Sequence, residues 1–134
     1  YAVRAQKKID SLDLSKYSDT FVQENKDGDW LKNCLDVYIK EGHSVNVGDV
    51  ITLNHERPNQ QSYSFSAIYW SDDVNPLTVD DAHYMNECRF NWDKNDDSKD
   101  VIIEIRFDDC MEIIAYPESN PQNKSNASIK YEWH

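Results

Sequence analysis

The sequence predicts an all-β fold: an antiparallel β-sandwich of jelly-roll type with about seven to eight strands, preceded by a short N-terminal helix. Three observations support this prediction. The segment 127–134 alternates apolar and polar residues without a break. A strand turns successive side chains to opposite faces, so this alternation indicates one buried and one hydrated face. Connectors rich in Asn, Asp and Pro separate further alternating segments, and no strand–helix–strand rhythm appears.

The alternating segments define the predicted strands and their inward faces. Tyr63, Phe65 and Tyr69 alternate with serines, which predicts that the serines face water. In the next strand, Tyr84 falls on the same predicted inward face as Cys88, Phe90 and Trp92. Val45 and Val47 are expected in a short strand piece that a bulge or a tight bend at Gly48 joins to the strand starting at Val50. The segments predicted as strands are Leu35–Lys40, Val50–Leu53, Tyr63–Tyr69, Ala82–Trp92, Val101–Phe107, Met111–Tyr116 and Ala127–Trp133.

The chain divides into an N-terminal leader, residues 1–20, and the sandwich domain, residues 21–134. The leader contains Ala2, Ala5 and several basic residues, including Arg4 and Lys7. These residue types favour a helix. We therefore expect a packed helix or a leader into the domain there.

The net charge of −11 limits the classes of partner. No Lys/Arg patch is present to displace counterions, so nucleic acid is disfavoured, and so are acidic membrane surfaces. No run approaches the roughly 20 apolar residues that span a bilayer, so membrane insertion is not expected. A neutral ligand or a basic protein partner is compatible with the charge. The acidic segments 72–81 and 93–100 would contact a basic partner.

The three cysteines do not decide between an oxidising and a reducing compartment. A bridge between Cys88 and Cys110 is one interpretation, with Cys34 free or intermolecular. The alternative is three small buried hydrophobic residues in a reducing compartment. Two glycosylation sequons, at Asn123 and Asn126, lean slightly towards secretion. The chain begins at Tyr1 rather than Met, which suggests a processed product, and we expect a secreted or extracellular protein.

Sequence motifs favour a non-catalytic role. There is no Gly-rich phosphate loop and no GxSxG nucleophile motif. The 25 Asp and Glu residues are too numerous to mark a catalytic pair. A hydrolase that uses two of these carboxylates is therefore an alternative that the sequence neither supports nor removes.

One segment has the spacing of a calcium loop. Asp93, Asn95, Asp97 and Glu104 stand at positions 1, 3, 5 and 12 of that pattern. Alternate oxygen ligands of a tight loop converge on one ion, as calcium requires. Position 6 is Ser98 instead of glycine, and a strand follows instead of a helix. The alternative interpretation is a solvated hairpin loop.

Aromatic and charged side chains near the middle of the chain suit sugar recognition. Trp70 is out of phase with the aromatic residues before it, which predicts an exposed ring beside acidic residues. Sugars stack an apolar face on such rings while carboxylates and arginines bind their hydroxyls. Glu87 and Arg89 of the following strand fit this chemistry. Packing at a sheet edge is the alternative interpretation of the same residues.

Part of the sequence resembles the galectins, a β-sandwich family of galactoside-binding lectins. The similar segments are Val45–Ile51, Tyr63–Ala67, His83–Asn91 and Val101–Ile102. In galectins, a compact H-x-N-P-R-F run binds the sugar. The resemblance implies that His83, Asn86 and Arg89 do so here, although the spacing is H-x-x-N-x-x-R-F and the proline is absent.

Together, these observations predict a secreted glycan-binding module with Trp70, His83, Glu87 and Arg89 as ligand-binding residues. A calcium ion held by Asp93, Asn95, Asp97 and Glu104 would assist it. The alternative function is an acidic module, such as an effector or an immunity protein, that captures a basic protein.

Overall fold

A computed structural model of the chain describes residues 1–8, 22–25, 28–39, 45–57, 63–72 and 78–130; for residues 5–8, 22–25, 28–34 and 81 it describes the backbone alone. Within these residues, β-strands dominate, which confirms the all-β prediction. A short 3-10 helix, Val79–Asp81, precedes the sixth strand. The strands are β1 (Ala2–Lys8), β2 (Val22–Asn25), β3 (Gly28–Val37), β4 (Val50–Glu56), β5 (Tyr63–Trp70), β6 (His83–Asn91), β7 (Asp100–Phe107), β8 (Met111–Pro117) and β9 (Ser125–Ile129).

The described strands form two antiparallel sheets. Sheet A has the order β2-β3-β1-β5-β6, and sheet B has the order β4-β7-β8-β9. Two sheets packed over one core agree with the predicted sandwich. The jelly-roll type is not confirmed: β1 to β3 all lie in sheet A and β7 to β9 all lie in sheet B, instead of crossing repeatedly between the sheets.

Apolar side chains of both sheets meet in a single core. In β7, the predicted alternation is confirmed, since Val101, Ile103, Ile105 and Phe107 are all buried. Burying side chains of this size stabilises the fold by about 1.5–3 kcal/mol each. The core residues are Val3, Ile68, Cys88, Phe90, Trp92, Val101, Ile103, Ile105, Phe107, Met111, Ile113, Ala115 and Ile129.

The N-terminal segment is a strand, so the predicted helix is wrong for Ala2–Lys8. β1 lies between β3 and β5 and pairs antiparallel with both. Helix propensities differ by only fractions of a kcal/mol per residue. Pairing on both edges satisfies the backbone N–H and C=O groups, and it buries Val3 completely. The rest of the predicted leader, residues 9–20, lies outside the described residues.

The buried face of β5 is the opposite of the predicted one: the serines face the core and the aromatic rings face outward. Ser66 is buried, and Ser64 Oγ accepts a hydrogen bond from the indole N–H of Trp92 at 2.8 Å. Ile68, on the same side as both serines, belongs to the core, whereas Tyr63 is 43% exposed. Alternation identifies two faces but not which one is inside. A hydrogen-bonded serine is acceptable in a core.

A β-bulge changes the side-chain phase of β6. The pairing with β5 shifts between Ile68 and Tyr69, and Met85 is the extra residue. One extra residue sends the side chains beyond it to the other face. Tyr84 therefore pairs with Tyr69 and is 54% exposed. The prediction that placed Tyr84 inside with Cys88 is wrong for this reason.

Two strands extend beyond their predicted bounds. β4 continues past the predicted end at Leu53 to Glu56, and β3 begins at Gly28, before the predicted start at Leu35. Of the two alternatives at Gly48, the structure shows the tight bend, with φ of +91°, a conformation that glycine adopts without strain, but residues 45–49 are not strand. The backbone N–H of Gly48 donates to the carbonyl of Phe107, which places this bend beside the β7–β8 turn.

Side chains join the two sheets along both sides of the sandwich. On one side, β6 and β9 lie next to each other. Asn86 Nδ2 donates to the carbonyl of Ser128 at 3.0 Å, and the backbone N–H of Arg89 donates to Ser125 Oγ at 3.2 Å. On the other side, His55 Nε2 of β4 lies 2.8 Å from an Asp36 carboxylate oxygen of β3. These contacts fix how sheet A sits on sheet B.

Candidate functional site

Aromatic side chains line the outward side of β5 and β6. The core-facing residues of β5 alternate with Tyr63, Phe65 and Tyr69, and the register places Phe65 opposite Arg89 and Tyr69 opposite Tyr84. From Tyr63 to Tyr69 the chain covers about 20 Å of extended strand. We use the term aromatic strip for Tyr63, Phe65, Tyr69, Tyr84, Glu87 and Arg89.

Two guanidinium groups pack on the rings of this strip. The Arg89 guanidinium carbon lies 4.5 Å from the Tyr63 ring centroid and 5.8 Å from that of Phe65. Arg4 of β1 approaches Phe65 from the neighbouring strand, with its guanidinium carbon 4.4 Å from the ring centroid. Cation–π contacts of this kind contribute about 0.5–2 kcal/mol each. They hold the two arginines and the rings in a defined arrangement.

A tyrosine and a carboxylate are hydrogen-bonded at the other end of the strip. The hydroxyl of Tyr84 donates to Glu87 Oε1 at 3.0 Å. Desolvation first, and then this hydrogen bond and the charge of Glu87, raise the pKa of Tyr84. The phenol is therefore protonated at neutral pH and remains a donor to Glu87. An exposed ring with a carboxylate fixed at its edge is the arrangement that stacks and hydrogen-bonds a sugar.

Among the described side chains on the outward side of sheet A, the exposed ones lie on β5 and β6. Alternation places Ala2, Leu35 and Ala67 on this same side, yet all three are buried. Tyr63, Tyr84 and Arg89 are exposed. Within the described side chains, solvent therefore reaches this side at β5 and β6.

The four predicted ligand-binding residues separate into two pairs. Trp70 and His83 are register partners whose rings stack with centroids 4.2 Å apart and an interplanar angle of 24°. They lie at the strand ends, on the opposite side of the sheet from Tyr69 and Tyr84. Glu87 and Arg89 lie in the aromatic strip. The structure therefore does not bring all four side chains onto one face.

The residues that the galectin resemblance implies are also divided. The bulge puts His83 and Asn86 on one side of β6, whereas Arg89 points to the other. The Asn86 side chain donates to the Ser128 carbonyl at the β6–β9 contact. The three side chains do not form the single cluster that the resemblance implies.

The predicted calcium residues do not converge. Asp93 Oδ2 accepts a hydrogen bond from the Asn120 side chain at 2.8 Å. Asn95 and Asp97 are exposed in the same loop, whereas Glu104 lies within β7. Within the described parts of the chain, no three His, Cys, Asp or Glu side chains lie close enough to share one metal ion.

Arg57 and Asp96 organise that loop instead. Arg57 Nη1 donates to the Asp96 carbonyl at 2.9 Å, and its guanidinium carbon lies 3.7 Å from the Trp92 ring centroid. Asp96 Oδ1 accepts from the Ser98 backbone N–H at 2.8 Å and from Ser119 Oγ at 3.2 Å. Desolvation raises the pKa of Asp96, but the hydrogen bonds from Ser98 and Ser119 and the charge of Arg57 lower it by more.

The cysteines show no bridge where the structure describes their side chains. Cys88 and Cys110 are both free, so the Cys88–Cys110 disulfide is not formed. Cys88 is buried in the core, and burial raises the pKa of its thiol to about 11. It packs as a small hydrophobic residue, which was the alternative interpretation. The Cys34 side chain lies outside the described residues.

The described parts of the two acidic segments, residues 72 and 78–81 on one side and 93–100 on the other, lie at opposite ends of β6. The segment 72–81 precedes this strand and 93–100 follows it. A strand of this length separates them by about 25 Å. Asp108 and Asp109, in the β7–β8 turn, are also exposed. In the described part of the chain, acidic side chains therefore lie at both ends of the sandwich.

Sequence reasoning missed most of the aromatic strip. It placed Tyr63, Phe65, Tyr69 and Tyr84 inside, because alternation alone cannot choose the buried side. It missed Arg4 because that residue was placed in a helix. The exposed-side assignment requires the β5–β6 register and the bulge at Met85, and neither has a clear signal in the sequence.

No protein-family model, curated protein or solved structure matches the chain. In the described part of the chain, no helix has the length and the hydropathy needed to cross a membrane.

Proposed function

We propose that the chain is a non-catalytic glycan-recognition module and that the aromatic strip is its binding surface. The observation that carries this proposal is the pairing of the exposed Tyr84 ring with the Glu87 carboxylate at 3.0 Å. The ring offers an apolar face to the C–H side of a sugar, and the carboxylate accepts hydrogen bonds from its hydroxyls. Tyr63, exposed at the far end of the strip, provides a second stacking position.

The arrangement is rigid, and this favours recognition of small polar ligands. The strip lies on two paired strands, and the backbone N–H of Arg89 donates a hydrogen bond to Ser125 Oγ of β9. Side chains held on strands lose little conformational entropy when a ligand binds. Glu87 is the carboxylate that the register places on the strip, whereas glycoside hydrolysis generally needs two across a cleft. Recognition without cleavage therefore suits this surface.

A glycan array tests the proposal with a matched pair of variants. Tyr84 and Tyr116 are both hydrogen-bonded to a glutamate, but Tyr116 lies on β8 of sheet B. We expect Tyr84→Ala to weaken binding of the best glycan by about 2–10-fold, as loss of one stacked ring implies. Tyr116→Ala is expected to leave binding unchanged. No bound glycan for the wild-type protein, or equal losses in both variants, would contradict the proposal.

Capture of a basic protein is the other candidate function, and the net charge of −11 favours it. The geometry favours it less, because the acidic segments lie at opposite ends of β6. Such a complex would weaken steeply with added salt, since screening reduces attraction between charged surfaces. Neutral-glycan binding would change little under the same conditions.

A further inference from the structure

Two positive charges converge on one ring of the aromatic strip. The guanidinium carbons of Arg4 and Arg89 lie 4.4 Å and 5.8 Å from the Phe65 ring centroid. The distance between the two guanidinium carbons therefore cannot exceed the sum of their distances to this centroid. Arg4 comes from β1 and Arg89 from β6, so the sheet brings together side chains that are far apart in sequence.

Neither guanidinium is neutralised by an ion pair with a described carboxylate. Among the described residues, the ion pair that forms is His55 with Asp36. Burial lowers the pKa of Arg4, and Tyr69 and the Glu87 charge oppose this shift only in part; one Glu87 oxygen accepts a hydrogen bond from Tyr84. The chain has 25 acidic and 14 basic residues. In so acidic a chain, it is unusual that two arginines contact one ring and that neither forms an ion pair with a described carboxylate.

The local environment leaves both arginines suited to an anion. Stacking on a ring occupies the flat face of a guanidinium and leaves the N–H donors at its edge available. Desolvation lowers the pKa of Arg4, so the fold has removed water from this cation and supplied no described ion pair in return. An anionic group would offset that cost with charge-assisted hydrogen bonds.

We infer that the aromatic strip binds glycans that carry an anionic substituent, a carboxylate or a sulfate ester, held by Arg4 and Arg89 beside Phe65. The inference rests on the proposed function and specifies its ligand class. Tyr84 and Glu87 then contact the neutral part of the glycan. Along β6, Glu87 and Arg89 are two residues apart, which separates the acidic and basic positions by about 7 Å. The Glu87 charge disfavours an anion at its own end, so the ligand binds in one direction.

Calorimetric titration with three related sugars tests this inference: lactose, 3′-sialyllactose and 3′-sulfolactose. We expect both anionic sugars to bind at least about tenfold more tightly than lactose, because charge-assisted hydrogen bonds are stronger than those between neutral groups. The preference should shrink at high salt. The two anionic sugars distinguish the source of the charge: tighter binding of the sialylated sugar assigns the site to carboxylates, and tighter binding of the sulfated sugar assigns it to sulfate esters.

Arginine variants supply the control. Arg89→Gln should weaken binding of the two anionic sugars by more than it weakens binding of lactose, so that the roughly tenfold preference is lost. Arg106→Gln alters an exposed arginine of β7, on sheet B, and should leave all three affinities unchanged. Arg4→Lys keeps the charge but loses the planar donor fork, so it should weaken anionic binding partially even where Arg4→Gln does not fold.

The outcomes separate the inference from the proposed function. Equal affinity for lactose and the anionic sugars overturns the inference and leaves glycan recognition in place. Failure of the wild-type protein to bind any sugar, on the array and in these titrations, overturns both. An equal loss of anionic binding in Arg106→Gln and Arg89→Gln also overturns the inference, because it indicates a general effect of charge.

Discussion

The indole N–H of Trp92 donates to Ser64 Oγ at 2.8 Å, inside the sandwich. This contact fixes the serine side of β5 towards the core. We expect Ser64→Ala to lower the free energy of unfolding by about 1–3 kcal/mol, because it leaves a buried donor unsatisfied. Urea denaturation followed by tryptophan fluorescence measures the loss. Ser128→Ala is the control, since that side chain is exposed on β9 and its carbonyl is retained. Equal stability of Ser64→Ala and wild type would indicate that the serine side of β5 faces solvent instead of the core.

The contact between β6 and β9 depends on side chains. The Arg89 backbone N–H donates to Ser125 Oγ, and Asn86 donates to the Ser128 carbonyl. We expect Ser125→Ala to speed hydrogen exchange at the Arg89 amide, measured by NMR, because its acceptor is lost. Amides of the β7–β8 pairing serve as the internal reference. Unchanged exchange at Arg89 would show that this bond does not hold the two edges together.

Thiol reactivity distinguishes the buried cysteine from the accessible one. In a Cys34→Ser background, Cys110 should react with a thiol reagent at pH 8, whereas Cys88 should react only after unfolding. Burial both shields Cys88 and raises its pKa to about 11, so little thiolate forms at that pH. Because the neutral thiol is favoured in the folded state, this contribution to stability is present below pH 9.0 and is lost as the pH rises towards 11. Rapid modification of both thiols in the native protein contradicts the core placement of Cys88.

Asp96 should contribute to the acid sensitivity of the fold. Its pKa is lowered from 3.8 in the folded state. A lowered carboxyl pKa stabilises the fold above the ordinary value, and this contribution is lost as the pH falls through the folded value. The stability difference between wild type and Asp96→Asn should therefore shrink as the pH falls below 3.8. Asp97→Asn makes the same change of charge in the same loop and serves as control. A stability difference between wild type and Asp96→Asn that grows as the pH falls would contradict the lowered pKa of Asp96.

The fold class was accessible from the sequence because alternation is a local property. Ile103 and Ile105 are buried two residues apart, as period two requires. The β1 strand was not accessible, because its residues favour a helix weakly and the partners β3 and β5 decide the outcome. Local preference fails where pairing with residues far along the chain determines the structure.

The candidate site was only partly accessible for a related reason. Glu87 and Arg89 were predicted as ligand-binding residues, and they lie in the aromatic strip. Tyr84 was missed because a single bulge at Met85 reverses the side to which it points. The direction in which β5 and β6 face depends on which side packs against β7 and β8, and no local pattern encodes that choice.

An NMR titration of the aromatic ring signals with 3′-sialyllactose tests directly whether the aromatic strip binds glycans. We expect shifts confined to Tyr63, Phe65, Tyr69 and Tyr84, with the Tyr116 ring on sheet B unchanged. Shifts at Tyr116 or in the loop 93–99, with the aromatic strip silent, would contradict it.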